Sequence, residues 1–180
     1  MIRQRAAEIL RAGCVIIDLE TTGFVSPTVE IVEIAVIDQT AKVLLHTLVK
    51  PQRAIPIGAS LVHGLYAEHL EDAPPFEQVY DQLKAVLSDR WAIAYNHTFE
   101  EGILKSVCAQ HGQAPLRVNW FCAMRGYQSF RGLHHFTKLT EACQSEGVKI
   151  ENAHRALGDC LMTLKLLEKI AGDFLINDSV

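Results

Sequence analysis

Asp18 and Glu20 stand two residues apart at the end of an apolar run, VIIDLETTGF (15–24), in a chain of 180 residues. On a β-strand, residues i and i+2 project to the same face. Two carboxylates held side by side there oppose each other's ionisation. An exposed strand end, with Glu20 capping the next turn, would relieve that repulsion without any chemistry. A cation between the two would turn it into a binding site.

Two further stretches supply acids in comparable settings. In NHTFEEGIL (96–104) a short strand runs into a helix beginning near Thr98. Thr98 and Glu101 have the spacing of a capping box, which gives Glu101 a structural role and leaves Glu100 free beside the core edge. In ENAHRALGDCLMT (151–163), His154 and Asp159 are five apart, about 140° from each other on a continuous helix. They converge only if His154 lies in the loop or first turn ahead of the helix that holds Asp159. Four acids and a histidine from three stretches form a repulsive set unless cations bind among them. Hard divalent ions such as Mg²⁺ take oxygen ligands, and two of them ~3.5–4 Å apart stabilise both the attacking and the leaving oxygen of a phosphodiester.

The elements that must position these residues follow from periodicity. CVIIDLE (14–20), VEIVEIAVID (29–38) and KVLLHTLVK (42–50) read as three consecutive strands with short connections, hence antiparallel neighbours. A proline-punctuated, loop-rich segment containing SLVHGL (60–65) follows. Beyond it, helices at 76–87 and 98–112 alternate with strands WAIAY (91–95) and RVNWFCA (117–123). A last helix carries Leu157, Cys160, Leu161, Leu164, Leu167 and Ile170 as an apolar stripe. The pattern predicts an α/β domain with a mixed five-stranded sheet, three antiparallel strands and then two more, flanked by helices. A functional crevice in such a sheet opens at strand ends near a change of strand order, where Asp18 and Glu20 lie.

Length and the absence of repeats or linkers predict one domain over 1–180, with a core at about 13–172 and a short amphipathic helix over 2–12. No apolar stretch is long enough to span a bilayer and no signal-peptide core is legible, so a cytoplasmic protein is expected. The five cysteines are scattered without a CxxC pair, which disfavours a zinc knuckle and a disulfide framework. The net charge of −4 offers no field attractive to a polyanion. It is unevenly spread, however. Residues 117–138 hold four Lys or Arg, five aromatics, two histidines and no acid, leaving 13 Lys and Arg against 21 Asp and Glu elsewhere, a balance of −8. Basic groups interleaved with aromatics suit an unpaired nucleic-acid strand; Trp120, Phe121 and Phe136 serve equally well as core.

The three acidic stretches together resemble the DEDDh (DnaQ-like) 3′-to-5′ exonuclease family of the ribonuclease H-like fold, most closely its compact exonuclease X-like branch. Asp18, Glu20, Thr21, Thr22 and Gly23 match the first motif, and Asn96 and Phe99 the second, with Glu100 in place of aspartate. His154, Ala156 and Asp159 match the third, while SLVHGL and WFCAM (120–124) resemble landmarks between motifs. The similarity runs from about Val15 to about Ile170.

The resemblance implies two Mg²⁺ or Mn²⁺ ions held by Asp18, Glu20, Glu100 and Asp159. His154 would be general base on the attacking water, and nucleoside 5′-monophosphate the product. Main chain around Thr21, Thr22 and Gly23 would wrap the terminal nucleotide, with His63, Asn96 and Phe99 as further substrate contacts. Single-stranded 3′ ends are the expected nucleic-acid partner, DNA ahead of RNA, with a DNA polymerase or repair factor as an open protein partner. Oligomeric state is not legible. Glu100 is longer than the family's aspartate by one bond, ~1.5 Å, and Mg²⁺ demands near-ideal geometry, so a preference for Mn²⁺ is expected. The alternative is an exonuclease-like module that binds a nucleic-acid end or a polymerase without cutting. His154 argues against it, because binding alone needs no base.

Overall fold

Strands β1 (Cys14–Thr21) and β2 (Ile31–Asp38) are almost wholly buried, as continuous Val/Ile runs require of strands covered on both faces. They pair antiparallel with Asp18 opposite Ala35 and Glu20 opposite Glu33. In the computed structural model, which describes residues 1–175, β3 (Val43–Leu48) continues the antiparallel series. β4 (Trp91–Ala94) then joins β1 in parallel and β5 (Asn119–Cys122) joins β4 in parallel. The order β3-β2-β1-β4-β5 is the mixed sheet expected from the sequence. β1 lies at the switch between its antiparallel and parallel halves.

Alternation along β1 divides the core between the two faces. Cys14 and Ile16 pack with α1 (Ile2–Ala12), α5 (Ala123–Arg131), α6 (Leu139–Ser145) and α7 (Ala156–Ala171). Val15, Ile17 and Leu19 pack with α3 (Phe76–Leu87) and α4 (His97–Gln110). All five cysteines are buried and free, and Cys160 of α7 lies close enough to the sheet for its thiol to reach the Ile16 and Ala35 carbonyls.

Three local expectations are corrected. The segment around SLVHGL is not all loop: α2 (Ile57–His63) forms there and stops at Gly64, whose φ of 72° is left-handed, the usual glycine-terminated helix end. Strand β5 covers only Asn119–Cys122 of the 117–123 stretch. The Thr98–Glu101 capping box does not form. α4 starts one residue earlier, at His97, with Asn96 as N-cap and no side-chain cap bond, and Glu101 pairs instead with Lys105 at 2.8 Å.

Candidate active site

The acids converge at the carboxyl end of β1 from both faces of the sheet. Asp18 and Glu20 share the α7 face, since Asp18 lies opposite Ala35, which packs with α7. Asp159 descends from the first turn of α7, and Glu100 comes from the first turn of α4 on the other face. Carboxylate oxygens of Asp18, Glu20 and Asp159 all fall within 4.8 Å of one another. Glu100 lies outside that trio but is 4% exposed, and it couples electrostatically to Asp18. Its Oε2 is buried with no hydrogen-bond partner among the described residues.

Burial, with the neighbouring acids adding to it, raises the pKa of all four acids. Burial, then Asp159, Glu100 and Glu20, holds the Asp18 pKa well above the carboxylate range. Burial and the neighbouring Asp159 push Glu20 to about 8, and burial is the main cause that takes Glu100 to about 8. Burial also raises Asp159, to about 6, with the His154 amide and ring acting the other way. Buried carboxylates forced together without a counter-charge are costly. An orphaned buried oxygen and an all-oxygen donor set are what hard divalent cations complete, so the residues present fit such ions.

His154 meets Asp159 in the way its spacing demands. It sits in the turn before α7 with a left-handed φ of 61°, and its amide donates to Asp159 Oδ1 at 3.1 Å. The imidazole is exposed to solvent. Gly158 permits this turn: a Cβ there would lie 2.3 Å from the Asn152 carbonyl oxygen and 2.8 Å from that of Glu151.

The Thr-Thr-Gly turn is tied down beside the acids. The Thr21 hydroxyl donates to the Gly23 carbonyl at 2.7 Å, and the Glu30 amide donates to Thr22 Oγ1 at 2.9 Å. Gly23 has a φ of 157°. His63 is buried, with Nδ1 accepting the Leu65 amide at 3.0 Å. Burial lowers its pKa, partly offset by the Thr21 main chain, which places the ring beside that turn. Phe99 is half-buried against the core, and its amide donates to the carbonyl of Asn96, the N-cap of α4, at 2.8 Å. In the basic and aromatic stretch, Trp120 and Phe121 are half-buried against the core, whereas Phe136 is 63% exposed. The Tyr95 hydroxyl donates to the Thr137 carbonyl at 2.7 Å, bringing that loop to the end of β4.

Glu30 and Glu33, which motif reading passed over, are buried acids that order the surroundings. Glu30 accepts the Gln52 and Arg53 amides at 2.8 and 3.0 Å, fixing the proline-rich segment behind the turn. Glu33 is fully buried and binds Arg155, His46 and the Ala156 amide. The signal for both was an acid flanked on each side by apolar residues in VEIVEIAVI (29–37), which has to find a cation or amides.

The sheet order, with an acid cluster at the end of its central strand, is the arrangement of ribonuclease H-like exonucleases. The sequence matches the family model for exonucleases over residues 15–167. It is 33% identical over 183 residues to an uncharacterized exonuclease, CP81, of Escherichia phage 186, covering 94% of each chain. It is 27% identical over 156 residues to exodeoxyribonuclease 10 of Escherichia coli (strain K12), covering 84% of this chain and 66% of that one. A solved structure of exonuclease X in complex with 5′ overhanging duplex DNA matches at a TM-score of 0.70 and 25% identity, over 87% of this chain and 90% of that chain. The chain therefore belongs to the exonuclease family and is a 3′-to-5′ exonuclease of the DnaQ-like type. No helix among the described residues is long and apolar enough to cross a membrane.

Proposed function

We propose that the protein removes nucleotides from single-stranded 3′ ends of DNA and releases nucleoside 5′-monophosphates. The observation that carries this reading is the Asp18–Glu20–Asp159 trio, with oxygens within 4.8 Å of one another and Glu100 buried alongside. Asp18, Glu20, Glu100 and Asp159 would hold two Mg²⁺ or Mn²⁺ ions. When bound, such ions neutralise the cluster and stabilise charge on the attacking and leaving phosphodiester oxygens. DNA is favoured over RNA by the likeness to an exodeoxyribonuclease and to a DNA-bound neighbour.

The remaining chemistry falls to the chain. His154 accepts the proton of the attacking water, a role suited to an imidazole that changes charge near neutral pH. The Asp159 carboxylate accepts the His154 amide and so fixes the turn that carries the ring. The Thr21–Gly23 main chain and the neighbouring His63 and Phe99 receive the terminal nucleotide. Asn96, at the N-cap of α4 with its side chain making no cap bond, is a further contact to the substrate. Exposed Arg125, Lys138 and Phe136 offer charge and a stacking face to the strand upstream.

The test is a 5′-labelled oligonucleotide, as DNA and as RNA, incubated with Mg²⁺, Mn²⁺ or chelator beside an Asp18→Ala control. A descending ladder on DNA that disappears with chelator and in the control supports the reading. An intact substrate retarded equally by wild type and control would instead make this a binding module.

A further inference from the structure

We propose that Glu33 is a positioning residue for the reaction, a latch that holds the His154–Asp159 segment against the sheet through Arg155. The inference rests on the catalytic reading above. Its starting point is a buried acid that the metal cluster does not use.

Glu33 sits on β2 directly across the ladder from Glu20, with no solvent exposure. An ionised carboxylate there has to be fully paired, and it is. Arg155 Nε donates to Oε2 at 3.0 Å and Nη2 donates to Oε1 at 2.8 Å, a two-pronged fork. The Ala156 amide donates to Oε2 at 3.1 Å, and His46 Nε2 lies 2.9 Å from Oε1. Burial acts to raise the Glu33 pKa, but these partners outweigh it and hold it below the ordinary value. Both oxygens of Glu33 are thus held by the protein itself, unlike the unpartnered Oε2 of Glu100 in the cluster.

What the anion grips makes it functional. Arg155 and Ala156 are the two residues that follow His154, and Ala156 is the first residue of α7. Its amide is one of the donors a helix start leaves unpaired, and Arg155, the N-cap, gives it no side-chain bond, so a carboxylate from another strand serves instead. One side chain therefore fixes the chain between His154 and Asp159, two groups with different proposed roles. The fork matters as well as the charge: guanidinium binds carboxylate through two parallel bonds, whereas a lysine ammonium makes a point contact.

The test uses Glu33→Gln, Arg155→Lys and the double variant Glu33→Gln/Arg155→Gln. The double variant removes both charges, so that no unpaired ion is buried if a single variant folds poorly. Each is measured for melting temperature, for kcat and KM on labelled DNA, and for Mn²⁺ affinity by titration with the metal alone. The expected result is kcat lower by ~10–100-fold, the usual cost of losing an outer-shell partner, and Mn²⁺ affinity lower by ~10-fold. KM should stay within a factor of about three, and the double variant should be no worse than Glu33→Gln, since both disable one latch. Arg155→Lys should fall with Glu33→Gln, because it keeps the charge and loses the fork. Unchanged kcat in folded Glu33→Gln, or full kcat in Arg155→Lys, overturns the latch. If wild type does not cut DNA, the catalytic reading fails; the Mn²⁺ titration then decides alone, and unchanged affinity in Glu33→Gln overturns the latch.

Discussion

Glu20 and Glu33 face each other across the β1–β2 ladder, yet their environments drive them in opposite directions. Arg155, His46 and an amide hold Glu33 below the ordinary carboxylate pKa, while burial and Asp159 push Glu20 to about 8. One acid is satisfied by the protein. The other lies among further acids.

That contrast predicts how stability depends on pH without metal. For Glu20, Glu100 and Asp159, the folded pKa values of about 8, 8 and 6 lie above the unfolded ones. Between the two values the folded state holds more protons, so stability falls as pH rises. The metal-free melting temperature should therefore drop from pH 5 to pH 8.5. Mn²⁺ should raise it more at pH 8.5 than at pH 5, since ligands must be deprotonated to bind. Thermal melts at both pH values with and without Mn²⁺ check this; an equal metal effect at both would contradict it.

Replacing one acid of the cluster by its permanently neutral isostere should separate stability from activity. Asp18→Asn should abolish cleavage while raising the metal-free melting temperature at pH 8 by ~2–4 °C, the shift expected for about 1 kcal/mol in a domain of this size. A lower melting temperature would mean that Asp18 makes favourable contacts in the absence of metal.

His154→Asn tests the base without disturbing the turn, because asparagine tolerates the left-handed backbone that His154 adopts. We expect kcat to fall ~10²–10⁴-fold, the usual range for a general base, with DNA affinity in Ca²⁺ unchanged. Parallel losses in binding and turnover would reassign the ring to substrate contact.

Gly158→Ala sets two effects against each other. Alanine gains ~1 kcal/mol of helix propensity, but its Cβ would sit 2.3 Å from the Asn152 backbone oxygen, and backbone cannot swing aside as a side chain can. Overpacking costs ~1–3 kcal/mol, so the clash wins. Lower stability and a lower kcat should appear together, measured by melting and by the ladder assay.

Glu100→Asp should raise the ratio of Mg²⁺ to Mn²⁺ activity, by bringing that position to the family's side-chain length. It should cost about 1 kcal/mol of stability for one lost buried methylene. An unchanged metal ratio would separate Glu100 from metal choice.

Much of this was legible from local pattern. Period-two alternation placed Asp18 and Glu20 on one face, and apolar runs marked the first three strands. The 3.6-residue period located the helix at Phe76–Leu87 without error, because such periodicities report burial directly. Local rules failed where they competed with packing. The Thr98–Glu101 spacing was right for a capping box, but the helix begins at His97, which leaves Thr98 past the cap. The helix at Ile57–His63 was hidden by flanking prolines and by its few apolar contacts.

By itself, then, the sequence determined the five strands and the longer helices, the identity of the chemical groups, and the condition that His154 precede its helix if it is to meet Asp159. Tertiary structure alone decided that Glu100 and Asp159 approach Asp18 from opposite faces of the sheet, and that Glu33 rather than the acid cluster binds Arg155. The reason is physical: periodicity encodes which way a side chain points within its own element. Which distant charge waits there depends on how the elements stack.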